Sequence, residues 1–329
     1  MLFFPLFITL PVAAAAAILE GLWGYPVALL KTIGHPVMWI GALIDRLDTT
    51  LNRPEHTEHA RRLLGLIALL LIILIPLVFT NVLLHIGYAL LPGSVMIGVQ
   101  AVLTTAFIAQ KSLWTHVRAV GIGLRRNGLA GGRQAVSQIV GRDTSVLDEA
   151  GIVRAALESL AENFSDGVVA PLFWAALFGL PGAVFYKAVN TADSMIGHLT
   201  PRHAAFGMAA AKLDDLINLP ASRLAAVCLI CAAPSATRRQ ARNAVGRDAA
   251  AHRSPNAGWP EAAMAGALGL RLAGPRIYSG VTVDDAWMGD GTPDATIEDL
   301  DRGLVLYSRA CGLLMALLLT ASVLAIIEA

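Results

Sequence analysis

The feature that most constrains this chain is an uncharged apolar run over residues 63–110, which contains no Asp, Glu, Lys or Arg. A helix needs about 20 apolar residues to cross the hydrocarbon core of a bilayer. The run is therefore long enough for two membrane helices, and Leu91-Pro92-Gly93 marks a break between them. Only 15% of the residues are charged, whereas soluble domains carry about 25%. The sequence therefore predicts an integral membrane protein.

The apolar runs predict an all-α, polytopic fold that forms a single membrane-embedded domain over 1–329, with helical cytoplasmic loops. Four transmembrane helices are predicted at about residues 1–19, 63–80, 93–110 and 310–327. Two further apolar segments, 168–186 and 224–237, are interrupted by Pro and Gly, most clearly at Gly179-Leu180-Pro181-Gly182. Interrupted segments of this kind are typical of re-entrant or broken helices that line a cavity.

The distribution of Lys and Arg predicts the orientation in the membrane. Residues 20–62 and 111–166 carry five and seven of them, whereas 81–92 carry none. Loop 81–92 is therefore predicted outside, and the large loops in the cytoplasm, as in a multi-pass protein of the cytoplasmic (inner) membrane. Residues 187–223 lie outside the cell if both interrupted segments span the membrane, and in the cytoplasm if both segments are re-entrant. The polar residues of 187–223 favour the cytoplasmic side.

The net charge of +1 gives no excess of positive charge that would favour binding to nucleic acid.

A polar run over residues 141–198 stands out in this apolar chain, and ionisable groups near lipid usually mark function. Glu158, Glu162 and Asp166 are spaced by four residues, so they share one helical face, with Thr144 or Ser145 predicted as the N-cap. Such carboxylates repel one another unless a cation lies among them, and their oxygens suit Mg²⁺. The alternative is a solvated acidic face paired with Arg154.

A second polar group follows the interrupted segment. Lys187, Asn190, Asp193 and His198 recur at roughly helical spacing, and Asp214-Asp215 and Asn218 come next. Lys187 is predicted to contact phosphate, although a Lys at a helix end can also extend to the membrane surface. Residues 142–166 and 187–223 are predicted to form two halves of one cytoplasmic site.

A turn-rich loop displays further polar side chains before a helix of small residues. The helix N-terminus favours an anion, and the loop residues concerned are His252, Arg253, Ser254, Asn256 and Trp259. The chain contains no Walker A sequence, so the residues that would hold a nucleotide cannot be read from a motif.

These segments resemble the CobD/CbiB family of cobalamin biosynthesis, the adenosylcobinamide-phosphate synthases. The resemblance covers nearly the whole chain in the family's order. It rests on HPVMWIG at 35–41, GRDTS at 141–145, RAALESLAENFSDGVVAPLFW at 154–174, GLPGAVFYKAVNTADSMIGH at 179–198, AAKLDDLINLPASRL at 210–224 and HRSPNAGWPEAAMAGALGLRLAGP at 252–275.

The resemblance implies an ATP-dependent ligase that forms an amide bond. Its corrinoid substrate, adenosylcobyric acid, would be joined to (R)-1-amino-2-propanol or its O-phosphate through an Mg²⁺-assisted acyl phosphate, giving adenosylcobinamide or its phosphate. Implied cofactors are Mg²⁺ and ATP as co-substrate. Implied partners are these substrates, the lipid bilayer and other late enzymes of the pathway.

The site residues that follow from this resemblance fall into three groups. The predicted magnesium ligands are Glu158, Glu162, Asp166 and Asp193. The predicted catalytic residues are Lys187, His252 or His198 as the base, and Asp214 or Asp215. The predicted substrate- and phosphate-binding residues are Arg154, Asn163, Asn190, Asn218, Arg253, Ser254, Asn256 and Trp259.

Two other functions fit a chain of this kind. Interrupted apolar segments with charged ends also occur at the binding sites of transporters, so a transporter of a corrinoid or phosphorylated solute is one alternative. A membrane sensor or regulatory protein is the other, although such a role does not require so many carboxylates beside Lys and Asn.

Overall fold

A computed structural model describes residues 4–278, 281–283 and 285–329. The chain divides into two compact units. The first unit comprises Met1–Ala109, Ala170–Asn218 and Leu317–Ala329, and the second comprises Gln110–Val169 and Leu219–Ala316. The predicted single domain stays a prediction.

Helices form the first unit. They are α1 Leu6–Trp23, α2 Val27–Ile33, α3 Pro36–Leu51, α4 Glu58–Leu90, α5 Gly93–Thr104, α8 Ala170–Ile196 and the first part of α9 Met208–Ala232. Helix α8 is the centre of this unit, because α1, α3, α4 and α5 all pack against it. Small residues on α1, including Ala13 and Ala16, are fully buried and allow the close approach. Helix α4 instead exposes large apolar side chains such as Phe79 (64% exposed), which suits a lipid-facing surface.

A tight helical hairpin interrupts α8 at Gly179, whose φ of 67° and ψ of −154° are accessible in practice only to glycine. The rings of Trp174 and Phe185 are 5.5 Å apart, whereas eleven residues of straight helix would separate them by about 16 Å. Gly182 lies so close to the carbonyl of Trp174 that it has no room for a Cβ. The predicted break in segment 168–186 is thus confirmed, and the chain reverses direction there.

The second unit contains α6 Gln110–Val136, α7 Glu149–Phe164, the remainder of α9, α10 Ser235–Asp248, α11 Gly258–Leu268 and most of α12 Ile297–Ile327. Helix α6 is also a hairpin, since Gly128 has φ 57° and ψ −150° and the backbones of Gly123 and Gly131 approach closely. Helix α7 packs against both α6 and α11.

Four short strands accompany these helices in the second unit. They are β1 Leu272–Ala273, β2 Arg276–Tyr278, β3 Val281–Val283 and β4 Trp287–Met288. Strand β1 pairs antiparallel with β4, and β2 pairs antiparallel with β3. No sequence pattern predicted these strands, but they are too short to change the all-α class.

Within residues 4–278, 281–283 and 285–329, six helical segments are long and apolar enough to cross a membrane. They confirm a helical, multi-pass architecture. Met1–Phe3, at the start of the first predicted span, lie outside the described residues. The six segments are Leu6–Trp23, Glu58–Leu90, Gly93–Val136, Glu149–Ile196, Met208–Ala232 and Ile297–Ile327.

The structure differs in local detail from three predictions, while the membrane spans themselves stay predictions. The span predicted at 93–110 is interrupted, because α5 ends at Thr104 and Ile108 takes an extended conformation (φ −110°, ψ 145°). The segment predicted at 224–237 is the end of the longer helix α9, followed by a break at Pro234. Helix α7 begins at Glu149 rather than near Thr144, since the Asp148 side chain accepts a hydrogen bond from the Gly151 N–H at 2.7 Å.

Candidate functional site

A chain of polar side chains connects α8 and α9 within the first unit. The Lys187 ammonium donates to Asn190 Oδ1 at 3.0 Å, and the Asn190 amide donates to Asp214 Oδ1 at 3.4 Å. From the other side, Tyr186 donates to Asn218 Oδ1 at 3.0 Å, and Asn218 donates to Asp214 Oδ2 at 2.9 Å. We call these five residues the α8–α9 network.

The α8–α9 network exists because the two helices run antiparallel with matched spacing. Residue 186 on α8 faces residue 218 on α9, and residue 190 faces residue 214, so the two contacts are one helical turn apart on each helix. Asp214, Asn190 and Asn218 are buried, and Lys187 is half-buried. Buried polar groups of this kind hold one another in fixed orientations. The network therefore presents a carboxylate and an ammonium group in a defined geometry.

Two further carboxylates lie near this network. Asp193 and Asp215 both interact electrostatically with Asp214, and Asp193 also interacts with His198. Asp215 and His198 are exposed, whereas Asp193 is half-buried. The structure thus brings together all the site residues predicted between 187 and 218.

His35, the N-cap of α3, belongs to the same neighbourhood although its motif was not assigned a role. Its Nδ1 accepts a hydrogen bond from the Val37 N–H at 3.3 Å, and its ring contacts Tyr25. Burial, followed by the positive charge of Lys187, lowers the pKa of His35 below its ordinary value of 6.5. His35 is therefore a neutral imidazole within electrostatic range of Lys187.

A cluster around Asp48 on α3 was also missed. Asp48 accepts hydrogen bonds from Asn52 at 2.7 Å and from Arg202 at 2.6 Å, and His203 lies 3.4 Å away. Burial by itself raises the pKa of Asp48, but these hydrogen bonds outweigh it and hold the pKa below 3.8. The cluster fastens the α8–α9 connection to α3. No local sequence pattern signals the whole cluster, because Arg202 and His203 are about 150 residues from Asp48.

The second unit contains a polar cavity at the start of α7. It has a volume of about 260 Å³ and is lined by Arg142, Asp143, Asp148, Arg154 and Glu158, among others. Glu158 Oε2 pairs with Arg142 at 3.0 Å, and Oε1 accepts the Ala273 N–H at 2.9 Å. Both side chains of the pair are about 90% buried.

The cationic groups of this cavity are held by the surrounding backbone and rings. Arg154 donates to the Pro293 carbonyl and lies over the Trp287 ring, with 5.9 Å from its guanidinium carbon to the ring centre. The Nε of Arg142 is buried with no hydrogen-bond partner in the described part of the chain. Hydrogen bonds from Ser145 hold the pKa of Asp143 below its ordinary value. The cavity thus combines two guanidinium groups with carboxylates, which suits a phosphate-bearing ligand.

The loop before α11 forms a separate cluster in the second unit. Asn256 Oδ1 accepts from Ser222 at 3.0 Å and from Arg223 at 2.9 Å. The Arg223 guanidinium lies 4.4 Å from the centre of the Trp259 ring. The buried His252 imidazole lies 3.7 Å from Glu261. Asn256, Trp259 and His252 therefore lie together as predicted, and Arg223 joins them as a residue that was not among the predicted site residues.

The other predicted residues of the second unit are more dispersed. Glu162, Asn163 and Arg253 are exposed, and Asp166 is half-buried. A π-helical turn over Ser165–Val169 follows α7 and shifts Asp166 from the regular spacing of Glu158 and Glu162. Ser254 is half-buried and its hydroxyl accepts the Asn256 and Ala257 N–H groups.

The described residues contain no group of three or more His, Cys, Asp or Glu side chains arranged to hold a metal ion. The first predicted ligand, Glu158, is already engaged by Arg142 and the Ala273 N–H. The four predicted ligands therefore do not form a ready-made magnesium site, and their assignment stays a prediction. They also belong to both compact units, so the predicted union of the two halves stays a prediction as well.

These features define a class: a polytopic helical membrane protein with buried, carboxylate-bearing polar networks beside its apolar helices. A family model of CobD/Cbib proteins matches residues 13–307. The chain therefore belongs to the CobD/CbiB family, which confirms the resemblance seen in its motifs.

Curated relatives match over most of their length. The chain is 49% identical to the cobalamin biosynthesis protein CobD of Sinorhizobium sp, over 94% of this chain and 96% of the relative. It is 50% identical to the Rhodobacter capsulatus protein of the same name, over 87% and 89%. The Brucella suis protein of that name is 45% identical, over 96% and 97%. No solved structure matches the chain.

Proposed function

We propose that this protein acts in cobalamin biosynthesis as an ATP-dependent amide ligase that joins adenosylcobyric acid to aminopropanol or its O-phosphate. The pathway is that of the curated relatives, which carry its name and cover nearly the whole chain. The reaction type is supported by one observation, the α8–α9 network with Lys187 and Asp214 at fixed positions.

Amide formation from a carboxylate requires activation, because the carboxylate oxygen is a poor leaving group. In the proposed reaction, an oxygen of a propionate side chain of adenosylcobyric acid takes the γ-phosphoryl group of ATP, which releases ADP and leaves an acyl phosphate. The amine nitrogen then attacks the acyl carbon, the carbon–oxygen bond to phosphate breaks, and the nitrogen loses a proton. The products are the amide, ADP and phosphate.

The residues of the α8–α9 network supply what these steps need. The Lys187 ammonium is proposed to contact phosphoryl oxygens, where fixed positive charge stabilises the developing negative charge. The Asp214 carboxylate is proposed to accept the proton that the amine nitrogen loses when it acts as the nucleophile, a role worth about 10²–10⁴-fold in rate. Asn190 and Asn218 hold the Asp214 carboxylate in orientation.

Phosphate binding by the cavity at the start of α7 is a further part of the proposal. Arg154 and Arg142 line this cavity, and guanidinium groups match phosphate geometry. Mg²⁺ commonly binds through one or two carboxylates and the phosphates of its nucleotide. Mg²⁺ is therefore proposed to enter with ATP and not to occupy a preformed metal site.

The test uses purified full-length protein with adenosylcobyric acid, aminopropanol or its phosphate, and ATP with Mg²⁺, and measures the amide product by mass spectrometry. We expect product together with one ADP per amide. Asp214→Asn should lower the rate by about 10²–10⁴-fold, and Lys187→Met should also lower it. Lys212→Met, an exposed Lys on the same helix as Asp214, is the matched control and should leave the rate unchanged.

Two outcomes would reject the proposal. An unchanged rate of amide formation in Asp214→Asn would show that the α8–α9 network takes no part in the reaction. Corrinoid uptake into sealed vesicles without amide formation would favour a transporter instead.

A further inference from the structure

A second cavity lies between α6 and α12 in the second unit, and none of the residues assigned to the reaction lines it. Its volume is about 590 Å³, within the roughly 300–1,000 Å³ range of small-molecule sites. The lining side chains recur at helical spacing on the two helices, so one continuous face of each contributes. The polar and aromatic lining residues are Trp114, Arg118, Arg125, Asp301, Ser308 and Arg309.

The cavity lies where apolar helix gives way to charged helix. The uncharged run of residues 63–110 ends at Gln110, and the final uncharged apolar run begins at Ala310. These two boundaries meet, because the Tyr307 hydroxyl donates to the Gln110 carbonyl at 2.8 Å. Trp114 and Arg309 follow directly on the charged side. Trp and Arg at such a boundary are typical of the membrane–water interface.

The cavity carries an excess of positive charge. Arg125 pairs with Asp301, while Arg118 lies 5.1 Å from the centre of the Trp114 ring and Arg309 adds a further guanidinium. Three arginines against one aspartate favour an anionic ligand. The side of the membrane predicted for the Arg-rich loops is the cytoplasmic leaflet, where anionic lipids attract such groups.

An apolar surface adjoins the charged cavity on α12. Val305 is 51% exposed and lines the cavity, and Leu313, two turns further into the uncharged run, is 40% exposed. A ligand with a charged head and apolar chains would therefore satisfy both parts of the surface. A small soluble anion would use only the charged part.

We propose that this cavity binds the headgroup of an anionic phospholipid, with Arg118 and Arg309 contacting the phosphate and the acyl chains lying along α12. Arg125 is held by Asp301 and shapes the edge of the cavity. The bound lipid would fix the α6 hairpin to α12 at the interface. This site is independent of the proposed ligase reaction.

The test measures lipid retained by the purified full-length protein in detergent, by native mass spectrometry. Phosphatidylglycerol is compared with phosphatidylcholine of the same acyl chains, and glycerol phosphate serves as the headgroup without chains. We expect preferential binding of phosphatidylglycerol. Because each arginine near an anionic surface contributes about fivefold in affinity, the double variant Arg118→Gln/Arg309→Gln should bind about 25-fold more weakly.

The matched control is Arg126→Gln/Arg239→Gln, which removes two exposed arginines that do not line the cavity. It should retain phosphatidylglycerol like the unaltered protein. Equal binding of the two lipids, equal loss in both double variants, or glycerol phosphate binding as tightly as the lipid would each overturn the proposal. The melting temperature of each variant without added lipid separates loss of binding from loss of folding.

Discussion

At the scale of single residues, Glu158 illustrates how burial changes the meaning of a sequence pattern. Its spacing with Glu162 predicts a shared acidic face, but the structure buries Glu158 against Arg142 while Glu162 is exposed. Arg142 precedes α7 and is distant from Glu158 in sequence, so helical periodicity cannot identify it as the partner. The position of each residue on the helix could be predicted, whereas its long-range partner could not.

Replacing Glu158 with Ala should reduce the free energy of unfolding by about 3–5 kcal/mol, because the Arg142 guanidinium would remain buried without its counter-charge. The double variant Arg142→Met/Glu158→Met should recover much of that loss, since no buried charge remains. Chemical denaturation of the detergent-solubilised protein measures both. A double variant as unstable as Glu158→Ala would show that the ion pair is not the source of the stability.

The side chains of His35 and Lys187 interact electrostatically. Replacing Lys187 with Met should raise the pKa of His35 toward 6.5, because the nearby positive charge is removed while burial remains. NMR of ¹⁵N-labelled imidazole groups measures this pKa, and Lys212→Met is the control that should leave it unchanged. An unaltered pKa in Lys187→Met would place His35 outside the electrostatic range of Lys187.

The sign of the linked stability change follows from the lowered pKa. The unfolded chain, with an ordinary pKa of 6.5 at His35, binds a proton more readily than the folded protein. The stability contributed by neutral His35 is therefore present above pH 6.5 and declines as the pH falls from 6.5 through the folded-state pKa. Lys187→Met should narrow the pH range over which this stability is lost, because it should bring the folded-state pKa of His35 closer to 6.5.

At the scale of secondary-structure elements, the hairpin in α8 determines where the polar side chains of the first unit lie. Because the chain reverses at Gly179, residues 180–196 run beside α9, and Lys187 and Asn190 face Asp214. The Gly and Pro residues predicted a break there, but they do not specify the angle between the two arms of α8. That angle depends on φ and ψ of Gly179 and on the packing of Trp174 against Phe185.

Replacing Gly179 with Ala should lower the free energy of unfolding by about 1–3 kcal/mol, because its positive φ with strongly negative ψ excludes a side chain. It should also reduce the rate of the proposed ligase reaction, since the α8–α9 network depends on the hairpin. Gly98→Ala, in a helix where an added Cβ meets nothing within 4 Å, is the control and should be neutral or stabilising. Thermal unfolding distinguishes the two, and equal stability of both variants would contradict a requirement for glycine.

At the scale of the whole molecule, the number of apolar helices could be predicted except at the two interrupted segments. The hydropathy of a segment shows directly whether it suits lipid or water. The membrane topology depends on whether residues 180–196 cross the bilayer. At about 1.5 Å per residue this arm is about 25 Å long, shorter than the roughly 30 Å hydrocarbon core. The reversal at Gly179 therefore favours a re-entrant arrangement of segment 168–186, which is the arrangement expected if the connection between α8 and α9 lies on the cytoplasmic side.

Cysteine labelling can measure on which side of the membrane the loop between α8 and α9 lies. In a variant with Cys228, Cys231 and Cys311 replaced by Ala, we expect Leu199→Cys to resist a membrane-impermeant maleimide in sealed right-side-out vesicles and to react after permeabilisation. Leu199 is 93% exposed, so lack of reaction would not result from burial in the protein. Pro92→Cys, at the connection between α4 and α5 in a stretch without Lys or Arg, should react in sealed vesicles and serves as the positive control. Reaction of Leu199→Cys in sealed vesicles would place the loop outside, and the α8 hairpin would then have to form part of a complete crossing rather than a re-entrant one.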